Sequence, residues 1–111
     1  MRSDRERLED ILERCRLLDE HVSPRLDELE SDPVLAAAAH YRIQIIGEAA
    51  ANVSPELRAA HPDVRWRGPI GMRQIMVHGY FDSDAEVVRE VVVRDIPELE
   101  RQIQELLEGL E

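Results

Sequence analysis

The chain has 111 residues, of which 43% are hydrophobic, and its formal net charge is −10. That length predicts a single domain over residues 1–111, small enough to gain from oligomerisation, and the charge argues against a general nucleic-acid binder, whose usual footprint is a basic face. A single cysteine excludes an internal disulfide, and the lack of any apolar run of membrane-spanning or signal-peptide length predicts a cytoplasmic protein with no membrane contact.

The N-terminal part of the chain predicts one amphipathic helix. Ser3 and Glu6 form a capping-box pattern, which is typical of a helix start. Apolar residues then follow at steps of three and four, as on one face of a helix; these are Leu8, Ile11, Leu12, Cys15, Leu18 and Val22. Pro24 interrupts this pattern. Because Cys15 lies on the apolar face, we interpret it as a small buried hydrophobe rather than a reactive thiol.

A second helix is predicted from Val34 to about Asn52. Ser31, Asp32 and Pro33 precede it, which places a capping side chain before a proline in the first turn. Its first half is rich in alanine and nearly uncharged, so we expect it to be the central buried helix. Ser54 and Pro55 then predict another short helix.

The C-terminal part predicts a connector and then a long helical region. Residues 62–72 hold two prolines and two glycines, which is typical of a bent connector. The helical region begins near Asp82–Asp84, and Pro97 either kinks it or splits it in two. The whole chain is therefore predicted to be all-α, a bundle of four to five helices.

Between the connector and the last helices, residues 73–80 read RQIMVHGY. This segment places the guanidinium of Arg73, the imidazole of His78 and the phenol of Tyr80 within eight residues. An imidazole moves protons near neutral pH, and a guanidinium binds phosphate and stabilises its developing charge. Such a pair is suited to cleaving phosphodiesters without a metal ion.

The pattern R-x-x-x-x-H-x-Y resembles the signature of the HEPN ribonucleases, and in particular of the HepT-like toxins. Blocks of sequence in the same order extend the resemblance over roughly residues 5–108; they are IIGEAA at 45–50, PDVRW at 62–66, IGMR at 70–73 and FDSD at 81–84. The resemblance implies an antiparallel HEPN-type bundle and a metal-independent endoribonuclease with Arg73 and His78 as its catalytic residues. It also implies the toxin half of a prokaryotic toxin–antitoxin pair, with a cellular RNA as substrate.

Helix geometry separates the two catalytic candidates within one chain. Arg73 and His78 are five residues apart, which is about 140° around a regular helix. Either the helix ends near Gly79, or a second copy of the chain completes the site; the resemblance implies the second arrangement, a homodimer with one shared cleft. Residues 58–81 carry four arginines against one aspartate, a local balance of +3, and a two-fold axis doubles it.

In the reaction that the resemblance implies, the ribose 2′-hydroxyl attacks the adjacent phosphorus. His78 acts as general base or acid, and Arg73 binds the phosphate. No cofactor and no metal ligand set is expected, and Asp82 and Asp84 are interpreted as helix-capping residues rather than metal ligands. Gln74, a supporting residue, departs from the family pattern, in which a shorter polar residue follows the arginine. This departure puts catalytic strength in doubt more than it does the fold.

Tyr80 has two interpretations. The resemblance implies that a partner nucleotidyltransferase of the MNT type adenylylates it, which blocks the cleft by charge and bulk. Alternatively it packs with its hydroxyl hydrogen-bonded, or helps to orient substrate. The rival to the toxin hypothesis is a non-catalytic HEPN module that binds the nucleotidyltransferase and is modified on Tyr80.

Five further residues are interpreted as supporting structure. Trp66 is expected to be a core or interface anchor, and Glu48 a buried hydrogen-bonding or dimer-contact residue. The remaining histidines lack comparable context and are interpreted as structural or surface residues; these are His21, His40 and His61.

Overall fold

The computed structural model describes residues 3–64, 66 and 81–110, with the backbone alone for residues 81–84. Five α-helices lie in this part of the chain: α1 (Asp4–His21), α2 (Pro33–Ala51), α3 (Pro55–Ala60), α4 (Phe81–Glu90) and α5 (Ile96–Gly109). A 3₁₀ segment, Ser23–Glu28, joins α1 to α2, and a π-helical turn, Val91–Asp95, joins α4 to α5. The prediction of an all-α bundle is confirmed, and no strand occurs within the described residues.

The helices begin where the capping residues predicted. Ser3 and Glu6 form the complete capping box at the start of α1. Of the residues before α2, Asp32 is the cap, and its carboxylate accepts hydrogen bonds from the amides of Val34 and Leu35, both at 3.1 Å. Ser54 caps α3 in the same way. Side-chain caps of this kind satisfy amides that have no partner within the helix, so local sequence alone fixes these helix starts.

Helix α1 packs antiparallel to both α2 and α5. The carboxylate of Asp4 accepts hydrogen bonds from the backbone amide of Ser54, at 2.9 Å, and from its hydroxyl, at 2.6 Å, so the start of α1 lies beside the end of α2. On the other side, Arg16 donates to Gln104 at 3.1 Å. The contact of Asp19 with Glu100, one turn further along both helices, gives the same antiparallel direction.

The core lies between these three helices and is closed by α4 and the π-helical turn. Its fully buried members come from every helix of the bundle except α3, with α4 contributing Val88. They include Leu8, Ile11, Cys15, Leu18, Ala39, Ile43, Ile46, Ala50, Val88, Ile96 and Ile103. The burial of Cys15 raises the pKa of its thiol to about 12, which confirms its interpretation as a core residue. Across the described residues, no helix is both long enough and apolar enough to cross a membrane.

Pro97 does not end the last helical region. Proline has no amide hydrogen, and its ring crowds the carbonyl of the residue four positions earlier, here Val93. The helix widens by one residue in the preceding turn, where the amide of Ile96 donates to Val91 five positions back. Helical structure therefore continues from Phe81 to Gly109 through the π-helical turn.

The prediction that α2 is the central buried helix holds for one of its faces. One face of α2 is buried, but the opposite face leaves Val34 77% and Tyr41 62% exposed. Absence of charge was the basis of the prediction, and it does not specify which neighbour covers a helix.

Candidate active site

The four predicted site residues lie outside the described residues. These are Arg73, Gln74, His78 and Tyr80. Their convergence, in one chain or across two, is therefore a prediction. What the structure describes is the frame on either side of the segment that contains them.

On the N-terminal side, this segment follows an anchored turn. Trp66 is only 6% exposed, which confirms its predicted place in the core. Its indole nitrogen donates to the carbonyl of His61 at 3.0 Å, and its backbone amide donates to Val64 at 2.9 Å. Gln102 on α5 donates to the carbonyl of Asp63 at 2.9 Å. The chain is thus fixed to the bundle immediately before the candidate site.

On the C-terminal side, α4 begins at Phe81, the residue after Tyr80. The backbone of Asp82 and Asp84 is helical within α4, and their interpretation as capping residues rather than metal ligands stays a prediction. Further along α4, the guanidinium of Arg89 donates to the carbonyl of Leu26 at 3.1 Å and forms a short ion pair with Glu30. This contact ties the helix that follows the motif to the connection between α1 and α2.

Of the basic segment 58–81, Arg58 is the arginine that the structure describes. It lies half-buried on α3, and its Nε is buried with no hydrogen-bond partner within the described part of the chain. The exposed faces of α1 and α5, by contrast, are dominated by glutamates. Phosphate is repelled by those faces, so neither of them is suited to an RNA backbone.

A groove of about 190 Å³ lies beside the end of α5. Its lining residues are His61, Asp63, Val64, Gln102, Glu105, Leu106, Gly109 and Leu110. Two carboxylates, those of Asp63 and Glu105, are among its described lining residues, so it is poorly suited to an anionic substrate. We do not assign it to the active site.

The structure tests the predicted positions of Glu48 and of the three histidines outside the motif. Glu48 was expected to be buried, but its side chain is exposed on α2, so the burial is wrong and a contact with a second copy stays a prediction. His21 is on the surface, 3.6 Å from Glu20, while His40 and His61 are half-buried. Among the described residues there is no cluster of three His, Cys, Asp or Glu side chains that could hold a metal ion.

Comparison with known proteins extends over almost the whole chain. The sequence model of the family described as "Ribonuclease HepT-like" matches residues 11–106, which include every predicted site residue. A candidate RNase of Caldanaerobacter subterraneus subsp. tengcongensis is 38% identical over 109 residues, covering 97% of each chain. A protein of Thermococcus cleftensis named as a probable ribonuclease HepT is 32% identical over 106 residues, covering 95% of this chain and 96% of its own.

A third relative carries the same unit within a longer protein. It comes from Methanocaldococcus jannaschii and is named as a gamma-glutamylcyclotransferase and candidate RNase. It is 34% identical over 105 residues, which are 94% of this chain but 47% of that protein. No solved structure matches the chain.

Proposed function

Because the chain belongs to the HepT-like ribonuclease family, we propose that it is an endoribonuclease that cleaves RNA without a metal ion, through a site shared by two copies. The observation that carries this proposal is the family match over residues 11–106, a range that includes both Arg73 and His78. The names of the relatives support the same reaction class.

The proposed reaction is an internal transesterification. The ribose 2′-oxygen forms a bond to the adjacent phosphorus while the bond from phosphorus to the 5′-oxygen breaks, which leaves a 2′,3′-cyclic phosphate and a free 5′-hydroxyl. His78 moves the proton, taking it from the 2′-hydroxyl or giving it to the departing 5′-oxygen. Arg73 offsets the charge that develops on the phosphoryl oxygens. DNA lacks the 2′-hydroxyl, so the proposal restricts cleavage to RNA.

The net charge of −10 is reconciled with an RNA substrate by the second copy. One chain offers a basic segment of +3 on an acidic body, and a two-fold axis brings two such segments to one cleft. The acidic faces of α1 and α5 then exclude RNA from the rest of the surface. We therefore propose a small basic cleft that takes a short, single-stranded stretch of RNA.

The test is RNA cleavage in the presence of EDTA. Arg73→Ala and His78→Ala should each lower the cleavage rate by a factor on the order of 10²–10⁴, the usual contribution of a catalytic acid or base. His21→Ala is the matched control, because His21 is an exposed histidine on α1 and should leave the rate unchanged. Equal rates in all variants, or activity that EDTA removes, would contradict the proposal.

We further propose that the chain is the toxin of a toxin–antitoxin pair and that a partner nucleotidyltransferase silences it by adenylylating Tyr80. With that partner and ATP, the mass of the chain should rise by whole units of AMP, and Tyr80→Phe should abolish the increase. Tyr41→Phe is the matched control, since Tyr41 is the other tyrosine of the chain and is 62% exposed. Expression of the chain alone should arrest growth.

The second candidate is a binding module that partners the nucleotidyltransferase, is modified on Tyr80 and cleaves nothing. Gln74 favours it, because the longer side chain departs from the family pattern beside Arg73. Measuring AMP addition and RNA cleavage on the same preparation distinguishes the two candidates. The binding module accepts AMP on Tyr80 but cleaves no RNA, whereas the ribonuclease does both. Gln74→Asn should raise the cleavage rate if the departure weakens a true catalytic site.

A further inference from the structure

Helix α2 is apolar on two opposite faces. Its inner face is buried in the bundle and consists of Leu35, Ala39, Ile43, Ile46 and Ala50. Its outer face, defined here as Val34, Ala37, Ala38, Tyr41 and Ile45, points away from the core. Val34 and Tyr41 are 77% and 62% exposed, Ala37 and Ala38 are exposed, and Ile45 is half-buried. A helix that is apolar all round is typical of one with a partner on each side.

The other long helices of the bundle have outer faces of the usual kind. Exposed positions on α1 include Glu6, Glu9, Glu13, Arg16 and Glu20. Exposed positions on α5 include Arg101, Glu105 and Glu108. The outer face of α2 is therefore an exception on a chain in which 34% of the residues are charged. Exposure of Val34 and Tyr41 to water is unfavourable, whereas exposure of charged side chains is not. An apolar outer face is therefore better explained by a partner that covers it.

The net charge of the chain favours a second copy as the partner of this face. Two copies of the chain each carry −10, so they repel wherever their acidic surfaces meet. Residues 33–41 contain no Asp, Glu or Arg and form the longest stretch of the sequence without one. The outer face from Val34 to Tyr41 is thus uncharged, and two identical acidic chains that meet there bring no like charges of this stretch together. Glu48 lies at the far end of the same side of α2, at the edge of such a contact.

The spacing of the outer face is also self-complementary. Ala37 lies four residues before Tyr41 and Ile45 lies four after it, while Val34 and Glu48 lie seven to either side. When two such helices pack antiparallel about a two-fold axis at Tyr41, each small Ala37 meets the large Ile45 of the other copy. Small residues opposite large ones allow two helices to interdigitate closely.

We propose that the outer face of α2 packs antiparallel on the same face of a second copy, with the two-fold axis beside Tyr41. The inference deepens the proposed function, which needs a second copy to complete its cleft, by naming the surface that brings the copies together. One helix face is smaller than the roughly 800 Å² per partner of a standard interface, so neighbouring elements share the contact or the dimer dissociates in the micromolar range.

The test reverses the charge at the proposed axis. Tyr41→Glu and Tyr41→Arg each place like charges against one another, so each variant should sediment as a monomer at concentrations where the parent is a dimer. We expect the dimer dissociation constant to rise by a factor on the order of a hundred. An equimolar mixture of the two variants should regain the dimer mass, because the charges then oppose each other across the axis.

Two controls keep the result interpretable. Glu13→Arg makes the same kind of charge change on the outer face of α1 and should leave the dimer intact. Circular dichroism should report unchanged helix content, since Tyr41 is exposed in the single chain; if either Tyr41 variant unfolds, Ala38→Glu replaces it in the same assay.

The outcomes separate this inference from the proposed function. A parent chain that stays monomeric at about 100 µM, well above the micromolar range of weak complexes, overturns the inference. So do Tyr41 variants that remain dimers, or a mixture that remains monomeric. Mass is measured without RNA, so a dimer that responds as expected but cleaves nothing refutes the ribonuclease and leaves the interface standing.

Discussion

The contact between Asp19 on α1 and Glu100 on α5 makes the stability of the bundle depend on pH. Both carboxyls are half-buried, and a hydrogen bond joins them across the helix pair. Burial, the hydrogen bond that the Glu100 carboxyl donates to the Asp19 carboxylate, and the negative charge of Asp19 together raise the pKa of Glu100 from 4.5 to about 7, against the opposing charge of Arg16. One shared proton therefore holds the pair together, and its loss places two carboxylates in contact.

The sign of the pH dependence follows from the raised pKa. The folded chain holds this proton more tightly than the unfolded chain, so the stabilisation is complete below pH 4.5 and is lost as the pH rises through about 7. The difference between 4.5 and about 7 corresponds to about 3 kcal/mol at 1.36 kcal/mol per pH unit. Because Glu100 is partly open to solvent, which screens its charge, we expect about 1 kcal/mol.

Glu100→Gln tests this reasoning, because its amide donates to the Asp19 carboxylate at every pH. The free energy of unfolding is measured by urea denaturation from pH 5 to pH 8 at constant ionic strength. From pH 5 to pH 8, the unfolding free energy of the variant should rise by about 1 kcal/mol relative to that of the parent. Glu13→Gln, an exposed change on α1, should show the same pH dependence as the parent. A difference between Glu100→Gln and the parent that is the same at pH 5 and pH 8 would refute the reasoning.

Three further predictions concern the core and the helix contacts. Ile43→Ala removes a fully buried side chain and should lower the free energy of unfolding by about 2–5 kcal/mol in urea denaturation, whereas the exposed Glu9→Ala should change it little. Asp4→Asn weakens the hydrogen bonds from Ser54, which hold the pKa of Asp4 below 3.8. The variant should lose about 1 kcal/mol of unfolding free energy relative to the parent at pH 6. This difference should vanish as the pH falls below 3.8, which urea denaturation of both chains over a pH series would reveal. Cys15 is fully buried with a raised thiol pKa, so a thiol reagent at pH 8 should titrate no cysteine in the folded chain and one per chain in urea; rapid reaction without urea would contradict its burial.

Local signals in the sequence predicted most of the fold. The capping residues Ser3, Asp32 and Ser54 placed three helix starts, because a capping side chain acts on amides only two or three residues away. Apolar spacing likewise predicted the inner face of α1, because residues three and four apart share one side of a helix. Pro97 left a kink and a split open as alternatives, and the π-helical turn Val91–Asp95, through which helical structure continues, excludes the split.

The features that the sequence did not predict depend on contacts between distant residues. The pairing of Asp19 with Glu100 requires the register of α1 against α5, which no local pattern specifies. The exposure of Glu48 and of the outer face of α2 required knowing which side of α2 meets α1. For the site, the motif predicted which residues carry the chemistry. Arg73 and His78 would lie about 140° apart on a regular helix, so their convergence across two copies stays a prediction.

The most direct test of the shared site is to mix two inactive chains. Arg73→Ala and His78→Ala are purified separately, each is shown to be inactive on RNA in EDTA, and the two are mixed so that subunits exchange. If Arg73 of one copy acts with His78 of the other, half of the dimers are mixed and each of these has one complete site, so the mixture should regain about a quarter of the parent rate. A mixture as inactive as its components, in dimers shown to have exchanged, would contradict a site built from two copies.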